Sequence, residues 1–204
     1  YRNLLPENVL FDCKGRLRLV DFSLSCSVEN PAFYLRRAKN TGDILSNDIS
    51  SERPISNAYT YTLCGCAEYM APEMVLGEGH DQGIDLWALG ILLHEFFLGH
   101  TPFCVPGEDS ANTAEIMTKI IKLKRGDRCD FIPSDPFESD SDALLVHEMI
   151  TKLLSPCIID RPGYFSSLTK LLQCRMFDYM EVDLLETNSL EPPYKPPVFQ
   201  PTQH

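Results

Sequence analysis

Two short apolar runs open the chain. Val9-Leu10-Phe11 and Leu17-Arg18-Leu19-Val20 flank Cys13-Lys14-Gly15, which predicts a β-hairpin with Gly15 supplying the turn. Residues 25–60 carry no sustained period. They mix Ser, Asn, Asp and Arg with scattered aromatics, the pattern of a long loop or insertion. Residues 61–80 are punctuated by Gly, Cys and Pro, which predicts loop with one helical turn after Ala71. From Asp81 to Leu98 apolar residues fall on every face, which predicts a helix buried all round, with Trp87, Phe96 and Phe97 in the core. Two amphipathic helices follow. One lies near 111–124, with Ile116, Met117, Ile120 and Ile121 on one side; the other lies near 141–154, with Leu144, Leu145, Met149, Ile150, Leu153 and Leu154. An acidic loop, Asp135 to Asp142, separates them, and a last helix near 164–174 buries Phe165, Leu168, Leu171 and Leu172. From Glu191 onward Pro192, Pro193, Pro196, Pro197 and Pro201 impose an extended end.

Charge narrows the function classes. Eighteen basic against twenty-nine acidic residues leave a net −11, a field that repels nucleic acid and anionic membrane surfaces. The run Leu86 to Leu98 is bordered by Asp85, interrupted by His94-Glu95 and too short for a bilayer, so no membrane span is expected. Eight cysteines without modular rhythm, in a chain with no signal peptide, are read as reduced thiols in a cytoplasmic protein. Cys64 and Cys66 lack zinc-site companions, and His80, His94, His100 and His147 show no ligand spacing. A chain opening on Tyr1 rather than Met is read as an interior start, a truncated or excised segment.

The chemistry concentrates in the first 23 residues. Tyr1-Arg2-Asn3-Leu4-Leu5-Pro6-Glu7-Asn8-Val9-Leu10 is followed, thirteen residues after Asn8, by Asp21-Phe22-Ser23. Mg²⁺ takes oxygen ligands and shares them with nucleotide phosphates. A loop Asn and a strand-end Asp, set side by side by a hairpin, can supply two such oxygens, and Asn8 and Asp21 fit. Taken singly, Asn8 reads as a turn cap and Asp21 as a solvated strand end. Further motifs come in order: Thr62-Leu63-Cys64-Gly65-Cys66-Ala67-Glu68-Tyr69-Met70-Ala71-Pro72-Glu73, then Asp85-Leu86-Trp87-Ala88-Leu89-Gly90, Asp160-Arg161, and Glu191-Pro192-Pro193-Tyr194-Lys195-Pro196. Together they resemble the C-terminal lobe of a eukaryotic serine/threonine protein kinase of the cyclic-nucleotide-dependent (AGC) group. The resemblance covers the chain except 25–60.

It implies a mainly α fold, the C-terminal lobe of the α+β kinase fold, with a short β-hairpin near the N-terminal end and an extended Pro-rich tail. Residues 1–177 form the lobe, with the catalytic loop at 1–10 and the activation segment at 21–73 carrying the insertion 25–60; residues 178–204 form the tail. It implies Mg²⁺ and ATP as cofactors, with Asn8 and Asp21 as metal ligands. Substrates are Ser/Thr proteins with basic residues, received by Glu7 and Glu95, with Leu63 lining the pocket beyond the phosphoacceptor. Arg2 would hold a phosphorylated Thr62. Asp85 would anchor the catalytic loop, and Glu73 would pair with Arg161.

The departures matter as much. Active family members carry Asp at Asn3, Lys at Leu5 and Thr at Cys66. Asn3 has no carboxylate to act as base, Leu5 brings no charge to the migrating phosphoryl, and Cys66 is a weak hydrogen-bonder. The glycine-rich loop, strand lysine and partner glutamate of the N-terminal lobe are absent from the sequence. By itself the chain is expected not to bind ATP tightly, to need that lobe in cis, and to expose the face that meets it. Three readings follow: an impaired pseudokinase or fragment, part of an active atypical kinase whose nucleophile Asn3 orients, or a non-catalytic module that binds basic peptides.

Overall fold

A computed structural model describes residues 1–27, 59–104, 112–124, 141–164, 171–172, 174–178 and 180–197. Among the described residues the architecture is mostly helical, with one two-stranded sheet, as the sequence pattern predicts. Strands β1 (Val9–Phe11) and β2 (Leu17–Leu19) pair antiparallel, with Leu10 opposite Arg18. Asp12 shapes their turn. Its carboxylate accepts from the Lys14 and Arg16 amides at 2.9 and 3.0 Å and from the Arg18 guanidinium, while Gly15 takes a φ of 83° that suits a residue without Cβ.

The helical turn after Ala71 is α1 (Pro72–Val75). Helix α2 (Gly83–Leu98) runs through the centre and stops at Gly99, whose left-handed conformation lets its N–H reach Glu95 O at 2.8 Å. Helix α3 (Thr113–Lys124) starts at Asn112, whose side chain accepts the Glu115 amide at 3.0 Å. Helix α4 (Ser141–Leu153) buries Val146, Met149, Ile150 and Leu153, spaced as one helical face. It packs along α2, while α1 sits on α3. One core joins them around Trp87, Ile91, Phe103, Ile120, Ile150 and Leu154.

Two sequence expectations need correction. Phe96 and Phe97 are 58% and 49% exposed rather than in the core. Leu144 is exposed as well, and Leu123 fills the core position on α3 that Ile121 was expected to share. The tail begins with an unforeseen short helix, α5 (Val182–Glu186), before the proline-rich stretch. Most of the insertion 25–60, the acidic loop and residues Phe165 and Leu168 lie outside the described residues.

Candidate functional site

The site is assembled at the junction of the segment 1–8, the hairpin and the head of α2. Arg2 adopts a φ of 69°, unusual for a residue with a side chain. The backbone nitrogens of Tyr1 and Arg2 both reach Asp85, at 2.8 Å to Oδ2 and 2.7 Å to Oδ1. Asp85 sits in the first turn of α2, so the central helix fixes the loop through one carboxylate. Asn3 follows, 8% exposed, and its Nδ2 donates to Asp21 Oδ2 at 2.9 Å. Asn8 Nδ2 donates to the Asn3 carbonyl at 2.8 Å, and the Val20 amide donates to the Asn8 carbonyl at 3.0 Å. The hairpin thus brings Asn8 and Asp21 to either side of Asn3.

Asp21 also has a left-handed φ, 55°. Ser23 donates to its Oδ1 twice, from Oγ at 2.6 Å and from the amide at 3.2 Å. The Ser23 hydroxyl, then the Ser23 amide and the Asn3 amide, hold the Asp21 carboxyl below the usual range. Among the described residues no group of three or more His, Cys, Asp or Glu forms a metal site. A cation here would take oxygens from Asn8 and Asp21 and the remainder from a bound ligand and water, which is how Mg²⁺ binds at phosphate sites.

Asn3, Leu5 and Cys66 line one small cavity of about 20 Å³, together with Cys64, Gly65 and Tyr69. Leu5 packs on the main core. Desolvation pushes the Cys66 thiol up, and the charges of Glu68 and Glu7 add to it. A carboxamide, an isobutyl group and an un-ionised thiol therefore face each other, with neither a proton acceptor near neutral pH nor a cation among the three.

The acidic residues meet this site through Tyr69, which lines the cavity. Tyr69 donates its hydroxyl to Glu95, and burial, then Glu95, raise the phenol far above its ordinary value. The charge of Glu7, which is exposed, also reaches Tyr69. Glu68, which sequence reasoning left unassigned, accepts the Thr101 hydroxyl. Leu63 is 55% exposed.

The Arg2 guanidinium turns toward Leu24 and Thr60. Nε donates to the Leu24 carbonyl at 2.6 Å, and Nη1 reaches the hydroxyl of Thr60 at 3.4 Å. Thr62 is exposed and meets the Thr60 hydroxyl, also at 3.4 Å, so it connects to Arg2 through Thr60. Thr60 was missed, although its two-residue spacing from Thr62 puts both on one side of an extended segment. Its backbone is fixed by paired hydrogen bonds of 2.9 Å to His80. Farther from the cavity, Arg161 grips Glu73 with two bonds, Nη1–Oε1 at 2.6 Å and Nη2–Oε2 at 2.9 Å, both side chains buried. The guanidinium also donates to the Ser155 and Gly83 carbonyls and lies 5.2 Å from the Trp87 ring centre.

Comparison with known proteins bears on this arrangement. The family model of the protein kinase domain matches residues 1–177. The cAMP-dependent protein kinase catalytic subunit of Arthrobotrys oligospora is 30% identical over 199 residues, 97% of this chain and 30% of that protein. Isozyme 1 of the cGMP-dependent protein kinase of Drosophila melanogaster is 30% identical over 202 residues, 99% of the chain and 21% of the relative. Ribosomal protein S6 kinase 2 beta of Xenopus laevis is 32% identical over 201 residues, 98% and 26%. The chain spans less than a third of the length of each of these relatives. No helix among the described residues is long and apolar enough to cross a membrane. The chain belongs to the protein kinase domain family, with serine/threonine kinases of the cyclic-nucleotide-dependent and S6 types as its relatives.

Proposed function

We propose that this chain is the C-terminal lobe, residues 1–177, and tail, 178–204, of a serine/threonine kinase domain whose phosphoryl transfer is severely impaired. The observation that carries this reading is the carboxamide of Asn3 bonded to Asp21, at the place where the resemblance puts the proton acceptor. An amide can orient a substrate hydroxyl through its oxygen, but it cannot take the proton. Losing a positioned general base costs about 10²- to 10⁴-fold in rate. Leu5 removes the cation from where negative charge develops, and the loss of one such electrostatic group is worth roughly another 10²-fold or more.

Bound Mg²⁺ and ATP would supply the transferable phosphoryl group and its charge neutralisation. The chain's own residues would hold the cation from Asn8 and Asp21 and present the Ser or Thr of a cytoplasmic protein substrate against Asn3. Glu7 and Glu95 would take basic residues of that substrate, and Leu63 the residue after the phosphoacceptor. On the regulatory side, a phosphothreonine would pair with Arg2; Thr62 is the matching position, and Thr60 is the hydroxyl in direct contact. The test is transfer of labelled γ-phosphate from Mg·ATP to an Arg-rich Ser/Thr peptide. The reading expects none at ordinary kinase rates. Normal turnover abolished by Asn3→Ala would establish the active, atypical alternative instead.

A second reading, a non-catalytic module for basic peptides, is favoured by one observation: Glu95 accepts the Tyr69 hydroxyl and the charge of Glu7 reaches the same phenol, so two acids converge on one group. Capture of Arg-rich peptides, lost on Glu7→Ala with Glu95→Ala, would support it. Absence of capture removes it.

A further inference from the structure

We infer that the small cavity beside Asn3 is a binding site for one soft monovalent cation, copper(I), held by sulfur. The inference goes beyond the proposed function and does not depend on whether the chain transfers phosphoryl groups. Four sulfur-bearing residues line the cavity: Cys64, Cys66, Met70 and Met74. Cys64 and Cys66 are two residues apart, a spacing that sets both side chains on one side of an extended segment. Between them the chain bends at Gly65, which has a φ of 93°, and a Cβ there would stand 3.2 Å from the Arg2 carbonyl oxygen. Glycine suits both demands, and the close approach fixes the two cysteines against the loop 1–8. A 3₁₀ turn, Ala67–Tyr69, leads from Cys66 to Met70, and Met74 follows on α1. Cys66 is exposed and Cys64 partly buried, while both methionines are buried. An ion would enter past the thiols and meet the thioethers deeper in.

Size and donor chemistry select the occupant. The cavity, about 20 Å³, has room for something the size of one water molecule and none for an organic ligand. The charged groups on its wall are engaged elsewhere. Both Asp85 oxygens accept the backbone nitrogens of Tyr1 and Arg2, and the Arg2 guanidinium turns to Leu24 and Thr60. Asn3 Nδ2 is a donor and is held by Asp21. Among the described residues no third His, Cys, Asp or Glu joins the two cysteines, so a zinc ion lacks its ordinary four-ligand set. Thiolates together with thioethers are the donors that select copper(I). On binding, each thiol exchanges its proton for a bond to the cation and the two protons pass to solvent. Copper arrives and stays as copper(I), so no electron moves. A Thr at position 66, as in active family members, would leave a single thiol and a hard hydroxyl in its place.

The experiment titrates copper(I) into the protein carrying this chain, without oxygen and under a non-thiol reductant, against a coloured copper(I) chelator of known affinity. X-ray absorption at the copper edge then reads the ligands. The native protein is expected to hold one ion most tightly, with sulfur scatterers alone. Cys66→Ser, at an exposed position, is expected to weaken that ion by at least about 10- to 100-fold, the loss that even an outer-shell partner brings. Met70→Leu with Met74→Leu, which keeps side-chain volume, is expected to weaken it as well. Cys13→Ser with Cys157→Ser removes two exposed thiols that do not line the cavity and is expected to leave the affinity unchanged. No uptake by the native protein, nitrogen or oxygen scatterers at the copper, or an affinity that Cys66→Ser or the methionine variant leaves unchanged overturns the inference. Should the double methionine variant fail to fold, Met70→Leu alone decides by the same reading. Phosphoryl transfer is not read in this assay, so its presence or absence bears on the proposed function alone.

Discussion

His80 shows how single residues tie the segment around Thr60 to the interior. Its backbone pairs with Thr60 and its imidazole is buried, 2% exposed, with Arg2, Glu73 and Asp85 around it. Burial first, and the Arg2 charge second, lower its pKa below the ordinary 6.5. The unfolded chain then binds a proton that the folded chain refuses. Stability from this residue is complete above the unfolded value and is lost as pH falls from there through the folded one. Melting curves should therefore decline below about pH 6.5, and His80→Gln should flatten that decline. An unchanged pH profile in the variant would show that other groups govern it. At this scale the sequence was a partial guide. Asn3, Leu5 and Cys66 could be singled out because their side-chain chemistry is wrong for the motif around them. Thr60 could not, and Ser23 stood out only as a replacement for the Gly usual in the family, because which hydroxyl meets Arg2 or Asp21 depends on backbone angles, the positive φ of Arg2 and Asp21 above all.

Among the elements, α2 carries the heaviest constraints. Gly90 lies where it meets α4, and a Cβ added there would stand 2.8 Å from Leu154 Cδ2 and 2.9 Å from Leu153 Cβ. Gly90→Ala is expected to cost about 1–3 kcal/mol in denaturant unfolding, the usual price of overpacking. No loss would mean that the two helices separate freely. The Glu73–Arg161 pair ties α1 to the loop after α4, and Gly83 at the head of α2 accepts from the same guanidinium. Arg161→Met should cost about 3–5 kcal/mol by stranding the buried Glu73 carboxylate. A loss below about 1 kcal/mol would place that carboxylate in water. Helices α2, α3 and α4 were legible because each carries enough apolar residues in period to declare itself. The facing of α2 was not: with apolar residues on every side, no polar stripe marks the outer surface, so Phe96 and Phe97 were assigned inward. Helix α5 escaped because five residues, two of them acidic, hold too little periodicity to read.

The described residues form a helical body with an exposed apolar rim. Leu10, Phe11, Leu17, Leu19 and Phe22 are 46–62% exposed along the hairpin and just beyond it, a contiguous stretch of sequence that marks a contact surface. Part of this rim is closed by the tail. Tyr194 meets Phe11 edge-on at 5.4 Å between ring centres, and Arg16 donates to the Asn188 carbonyl. A Cβ on Gly15 would lie 1.9 Å from the Tyr194 carbonyl oxygen, so only glycine lets the tail approach. Gly15→Ala should expose residues 180–197 to limited proteolysis while the helical core melts as before; unchanged protection would show that the tail is held elsewhere. The central claim, that an amide stands where catalysis needs a proton acceptor, is tested most directly by the initial rate of γ-phosphate transfer from Mg·ATP to an Arg-rich Ser/Thr peptide. The account predicts a rate at least about 10²-fold below that of working kinases. Turnover at about 1–100 s⁻¹, abolished by Asn3→Ala, would contradict it.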